Sequence, residues 1–148
     1  MKRYFISPQQ KGFTLIELLV VIAIIGVLAG LLLVNLIGIR QRARDAQRKS
    51  DLRQIQSAIE LYRADSGSYP TSLVACGQPL IGSGSTPTTY MQKLPCDALT
   101  NVTYTYTSDG TTYSIIACLE NSNDSQRDST NIAPCNGSTS FSFTVKNP

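Results

Sequence analysis

Glu17 is the single charged side chain in the 27 residues from Phe13 to Ile39, a run that Thr14 and Asn35 alone otherwise interrupt with polar groups. A carboxylate at the edge of such a run costs several kcal/mol unless it is paired or lies near an interface. Its chemistry is therefore capture of a cation. Lys11, six residues back, is poorly placed for this along a helix, so a partner from another chain would solve the problem. Cys76, Cys96, Cys118 and Cys135 form a second set. They lack the paired C-x-x-C spacing of a zinc site. An even number in a small, core-poor domain outside the cytoplasm points to two disulfides. Of the three pairings, Cys76–Cys96 with Cys118–Cys135 closes the shortest loops, each bridge contributing about 3 kcal/mol in the chain-entropy model. Four buried free thiols would instead suit a cytosolic head. Glu120, Asn121, Asn123, Asp124 and Asp128 make an oxygen-rich loop. Glu120, Asn123, Asp124 and Asp128 are weak calcium candidates, because the spacing is not that of an EF-hand and a solvated polar loop is the commoner outcome. With no His, no phosphate-binding glycine loop and no nucleophile–base signature, no enzyme and no catalytic residue is expected.

The elements that must position these groups begin with the apolar run. From Leu18 to Val34, 17 consecutive residues carry no polar side chain. At about 1.5 Å per residue, a helix from Phe13 to Ile39 is roughly 40 Å long, enough to cross a hydrocarbon core of about 30 Å with tilt. Lys2, Arg3 and Lys11 give a basic start, as in a secretory signal, but the run is too long for one and is followed by arginines instead of an A-x-A-like site. A chain of 148 residues is too small to wrap that helix as a soluble core.

Lys11-Gly12-Phe13-Thr14-Leu15-Ile16-Glu17-Leu18, continued by the apolar run, resembles the N-terminal signature of type IV pilins and type II secretion pseudopilins. The resemblance implies cleavage after Gly12 by a prepilin peptidase and N-methylation of Phe13. It also implies an assembly role for Glu17, which would neutralise the α-amino group of a neighbouring subunit. It further implies a homo-oligomeric helical filament built by an assembly ATPase and platform complex. The implied location is the bacterial inner membrane, as a single-pass prepilin with its head on the extracytoplasmic side, and then an extracellular or periplasmic filament. Two features depart from the pattern. Val34 stands where many members have a proline before the Asn, so helix melting rests on Gly26, Gly30 and Gly38. The arginines from Arg40 to Arg53 outnumber the leader's cations, and counting them alone would leave the head in the cytoplasm. The cysteines and the family signature favour the opposite side.

Arg40 to Asp65 contains no Gly or Pro and is rich in good helix formers, with Leu52, Ile55, Ile59 and Tyr62 on one face. Asp45 and Lys49 are spaced for an i,i+4 pair, and Ser66-Gly67 with Pro70 ends the element. Thr71 to Asn101 reads as a loop with a low-complexity tip at Gly82–Pro87. Alternation at Val102, Tyr104 and Tyr106, the Asp109-Gly110 turn, Thr112–Leu119 and Ser140–Lys146 predict three antiparallel strands covered by the helix stripe.

The expected fold is α+β and pilin-like: a long N-terminal helix, membrane-spanning and then amphipathic, packed on a small antiparallel sheet. The segments are a leader at 1–12, an assembly helix at 13–39, its amphipathic half at 40–65 and a disulfide-stapled head at 66–148. Cleavage would remove Lys2, Arg3 and Lys11 and leave 10 basic against 10 acidic side chains in 136 residues. The Arg40–Arg53 cluster reads first as salt-bridging to adjacent subunits near the membrane. DNA or anionic lipid comes second, since no aromatics interleave for base stacking. A type IV pilus subunit leads the functional readings. A secretion pseudopilin, which the post-Leu119 loop favours because major pseudopilins carry a calcium loop near that place, and a DNA- or ligand-binding minor pilin follow.

Overall fold

A computed structural model describes residues 12–82 and 87–148, with the backbone alone at 33–36. The expected leader before Gly12, the interior of the Gly82–Pro87 tip and the Val34 departure lie outside the described residues or side chains. The chain forms two compact units divided between Ile37 and Gly38. Helix α1 is assigned over Leu15–Ser66. Its stretch in the first unit includes Leu15–Leu32, with mean hydropathy 2.9 and every side chain exposed. The structure is thus α+β, with an N-terminal apolar helix and small antiparallel sheets.

In the second unit α1 ends at Gly67, whose φ of 78° only glycine adopts freely, and the Gly67 amide donates to the Arg63 carbonyl at 2.8 Å. Strands β3 (Thr105–Ser108), β4 (Tyr113–Leu119) and β5 (Phe141–Lys146) form an antiparallel sheet in the order β3-β4-β5. Tyr113, Ile115, Ala117 and Leu119 alternate along β4 and are all buried, as period-two geometry requires of the core face. Leu52, Ile55, Ala58 and Ile59 of α1 join the same core with Tyr69, Leu94 and Phe143. Each such large side chain contributes roughly 1.5–3 kcal/mol by leaving water. Tyr62, the last member of the expected stripe, is half-buried and meets the edge of Tyr90 at 5.4 Å between centroids.

Two expectations are corrected. The strand does not begin at Val102: the Asp97 amide bonds to the Val102 carbonyl at 2.9 Å, and Asn101 has φ 56°, so 97–102 is a turn. The segment read as a loop contains a second sheet, β1 (Leu80–Ile81) with β2 (Thr89–Met91), seated by buried Leu80. Strands of two and three residues are too short to show alternation. The β3–β4 turn is organised by Asp109, whose Oδ1 accepts from the amides of Thr111 and Thr112 at 2.8 and 2.6 Å.

Candidate functional site

The first unit offers a helix terminus. Gly12, Phe13 and Thr14 precede the helix, and Phe13 is exposed. Thr14 caps α1: the Glu17 amide donates to Thr14 Oγ1 at 3.3 Å, while Thr14 N and Oγ1 donate to Glu17 Oε2 at 2.9 and 2.7 Å. This reciprocal T-x-x-E arrangement is a capping box. Glu17 therefore has hydrogen-bond donors in its own chain as well as a need for a cation, and the signal for them, Thr14-x-x-Glu17, is plain in the sequence. Oε1 accepts no hydrogen bond among the described residues. A side chain placed at Gly12 would meet nothing within 4 Å among the described residues.

The second unit holds a buried charged cluster built on α1. Asp45 and Arg48 are 1% and 2% exposed. Arg48 Nη1 lies 2.8 Å from both Asp45 Oδ1 and Glu120 Oε1, and Nε lies 2.6 Å from Asp97 Oδ2. Arg44 Nε donates to the same Glu120 Oε1 at 2.7 Å, and Asp45 accepts the amides of Glu120 and Asn121, each at 2.9 Å. Lys49 reaches Asp124 at 2.7 Å. The expected Asp45–Lys49 pair is thus replaced by Asp45–Arg48 and Lys49–Asp124. Half of the arginine-rich run is consumed within its own head; Arg40, Arg42 and Arg53 are exposed and form no ion pair among the described residues.

The electrostatics follow from these contacts. Arg44 and Arg48 hold the Glu120 carboxyl below its ordinary range against the opposing effect of burial. Burial pushes Asp97 up, but the Arg48 guanidinium and the amides of Thr100 and Leu99 outweigh it, and the net shift is downward. Burial raises Asp51, which is 5% exposed and takes the Tyr104 hydroxyl at 2.7 Å. The sequence reading gave the Arg run to acidic groups of adjacent subunits near the membrane, whereas Arg44, Arg48 and Lys49 pair within their own chain. The usable signal was spacing, since 45, 48, 52, 55 and 59 alternate by three and four on one helical face.

The calcium candidates do not converge. Glu120 faces Arg44 and Arg48; Asp124 faces Lys49 and the Gln126 amide. Asp128 turns to β5, where its amide donates to Ser142 O at 2.8 Å and its carboxylate accepts from Thr144 Oγ1 at 2.7 Å and from the Thr144 amide. Beside it, Asn131 Oδ1 accepts the Ser142 amide at 2.8 Å. Calcium needs six to eight oxygens about one centre. Among the described residues no group of three such ligands forms, and these side chains do not fit the ion.

Cys76 is joined to Cys96 and Cys118 to Cys135, with Cα separations of 5.0 and 5.4 Å. The second bridge anchors the segment after β4 to that strand.

Comparison with known proteins gives two family matches. Residues 7–33 match the prokaryotic N-terminal methylation motif, and residues 35–133 match type II secretion system (T2SS), protein G. The Escherichia coli (strain K12) type II secretion system core protein G is 38% identical over 98 residues, covering 62% of this chain and 68% of the relative. The namesake from Pseudomonas aeruginosa is 34% identical over 110 residues, covering 70% and 77%. That of Dickeya chrysanthemi is 36% identical over 97 residues, and there the chain spans 63% of the relative's length. No solved structure matches the chain.

Proposed function

The chain belongs to the type II secretion system protein G family, whose members are structural pseudopilins, and from that premise we propose that it is the filament-forming pseudopilin of such a system. This reverses the order of the sequence reading, which placed a type IV pilus first: the protein G match extends through the head, whereas the methylation motif alone suits either filament. The observation that carries the proposal is the fully exposed apolar surface from Leu15 to Leu32, headed by Glu17. Such a surface has two natural environments, lipid before assembly and the helices of other copies after it.

In this reading residues 1–12 are a leader, and a prepilin peptidase cuts after Gly12. The requirement for glycine at 12 is then the enzyme's pocket, since among the described residues nothing packs on that position. Cleavage creates an ammonium group at Phe13. The capping box fixes Glu17 through Oε2 and leaves Oε1 to meet the Phe13 ammonium of the next subunit. The membrane is the bacterial inner membrane, the head lies in the periplasm, and an assembly ATPase and platform drive the filament.

The test is export in the parent bacterium together with mass spectrometry. The mature chain should begin at N-methylated Phe13, and Glu17→Leu should insert normally yet stop release of the secreted proteins into the medium. Normal export with loss of surface fibres would assign the chain to a pilus. Normal export and normal fibres would remove the assembly role of Glu17.

A further inference from the structure

We propose that a buried guanidinium takes the place of a divalent cation in this head: Arg48, flanked by Arg44, is the counter-charge that closes the segment after β4 onto α1, and the fold has no calcium requirement. Three carboxylates from separate parts of the chain converge on Arg48. Asp45 comes from the preceding turn of α1, Asp97 from the turn before β3 and Glu120 from the end of β4. A planar guanidinium presents five N–H donors in a fixed fork, so one side chain can serve three carboxylates in different directions. At 2% exposure it does so in place of water.

The oxygens that would serve a hard cation are already committed. Glu120 Oε1 accepts from both Arg48 and Arg44, and Asp45 accepts the Glu120 and Asn121 amides in addition to Arg48. Lys49 repeats the arrangement further along the same segment at Asp124. Between Glu120 and Asp124 the chain is thus fastened to α1 by three cations of the helix. Calcium at Asp45 or Glu120 would have to displace the buried Arg48 guanidinium from the carboxylates it joins. Two carboxylates in contact with this cluster, Asp97 and Glu120, are held in their charged form, as clamping requires. The inference concerns the head and stands whichever filament the chain builds.

The experiment uses the full chain, oxidised and in detergent, with thermal unfolding followed by circular dichroism in excess EDTA and in excess calcium chloride, alongside calorimetric titration with calcium chloride alone. The wild-type midpoint should be the same in EDTA and calcium, with no binding heat. Arg48→Met should lower the midpoint on the order of 15 °C, as expected for a buried charge cluster deprived of its centre. If Arg48→Met does not fold, Glu120→Gln, which keeps the shape and removes one charge, should give a smaller fall that calcium does not restore. A calcium-dependent rise in the wild-type midpoint, a binding heat, or wild-type stability in both variants would overturn the proposal.

Discussion

Replacing Tyr104 with phenylalanine removes one oxygen and should destabilise the head by about 2 kcal/mol. Tyr104 and Asp51 are each 5% exposed, and the hydroxyl donates to Asp51 Oδ2 at 2.7 Å. That is the one hydrogen bond Asp51's side chain makes among the described residues. Phenylalanine fills the same ring space, so no cavity opens; what changes is a buried carboxylate left without a donor. Hydrogen bonds to charged groups contribute roughly 1.5–3 kcal/mol. For the second unit, Gly38–Pro148 and so about 110 residues, 1 kcal/mol moves the unfolding midpoint by about 4 °C, so a fall of roughly 8 °C is expected. The pH dependence separates this cause from lost packing. Burial already raises Asp51, and without the hydroxyl it rises further. The variant's penalty is therefore full where Asp51 is ionised and shrinks as acid protonates it. Denaturant unfolding of Tyr104→Phe at neutral pH and near pH 4, with Asp51→Asn and the double variant closing a cycle, measures the coupling. A deficit below about 0.5 kcal/mol at neutral pH, or one equal at both pH values, would refute the reasoning.

Cys118→Ala with Cys135→Ala opens a loop of 17-residue separation and should cost about 3 kcal/mol by chain entropy, read as a midpoint lowered by roughly 12 °C. Non-reducing peptide mapping of the wild type should find no alkylatable thiol. In acid the head should weaken: Asp97, Glu120 and Asp124 all titrate lower in the folded chain than unfolded, so their contribution is complete above about pH 5 and is lost as pH falls through the folded values. Burial of Asp51 acts in the opposite direction, and unfolding free energy that stays constant down to pH 3 would contradict the balance.

Much of the framework was legible because it depends on local pattern. The Leu52, Ile55 and Ile59 stripe marks a helix covering a sheet, Gly67 marks its end, and alternation along 113–119 marks the central strand. The apolar run and Glu17 were equally plain. Other features depend on what meets at a distance. Arg44, Arg48 and Lys49 read as cations for adjacent subunits because, Asp45 apart, their partners in this chain lie 49 to 76 residues away. The acidic loop looked free to bind an ion for the same reason: sequence displays the oxygens and hides the cations opposite them. Val102 continued an alternating pattern, but Asn101 turned the chain before pairing could begin. The small β1–β2 sheet had too few residues to register.

The bonds made by Asp128 and Asn131 have a consequence for self-association. β5 is an edge strand, and an unguarded edge invites a foreign strand to extend the sheet. Here the outward amides of Ser142 and Thr144 are taken by Asn131 and Asp128, the Ser142 carbonyl by the Asp128 amide, and the Lys146 carbonyl by Gln56 at 3.0 Å. These contacts, three from side chains and one from a backbone amide, occupy border groups that a foreign strand would use. Sheet extension at β5, the route that leads to amyloid-like aggregates, is thereby opposed.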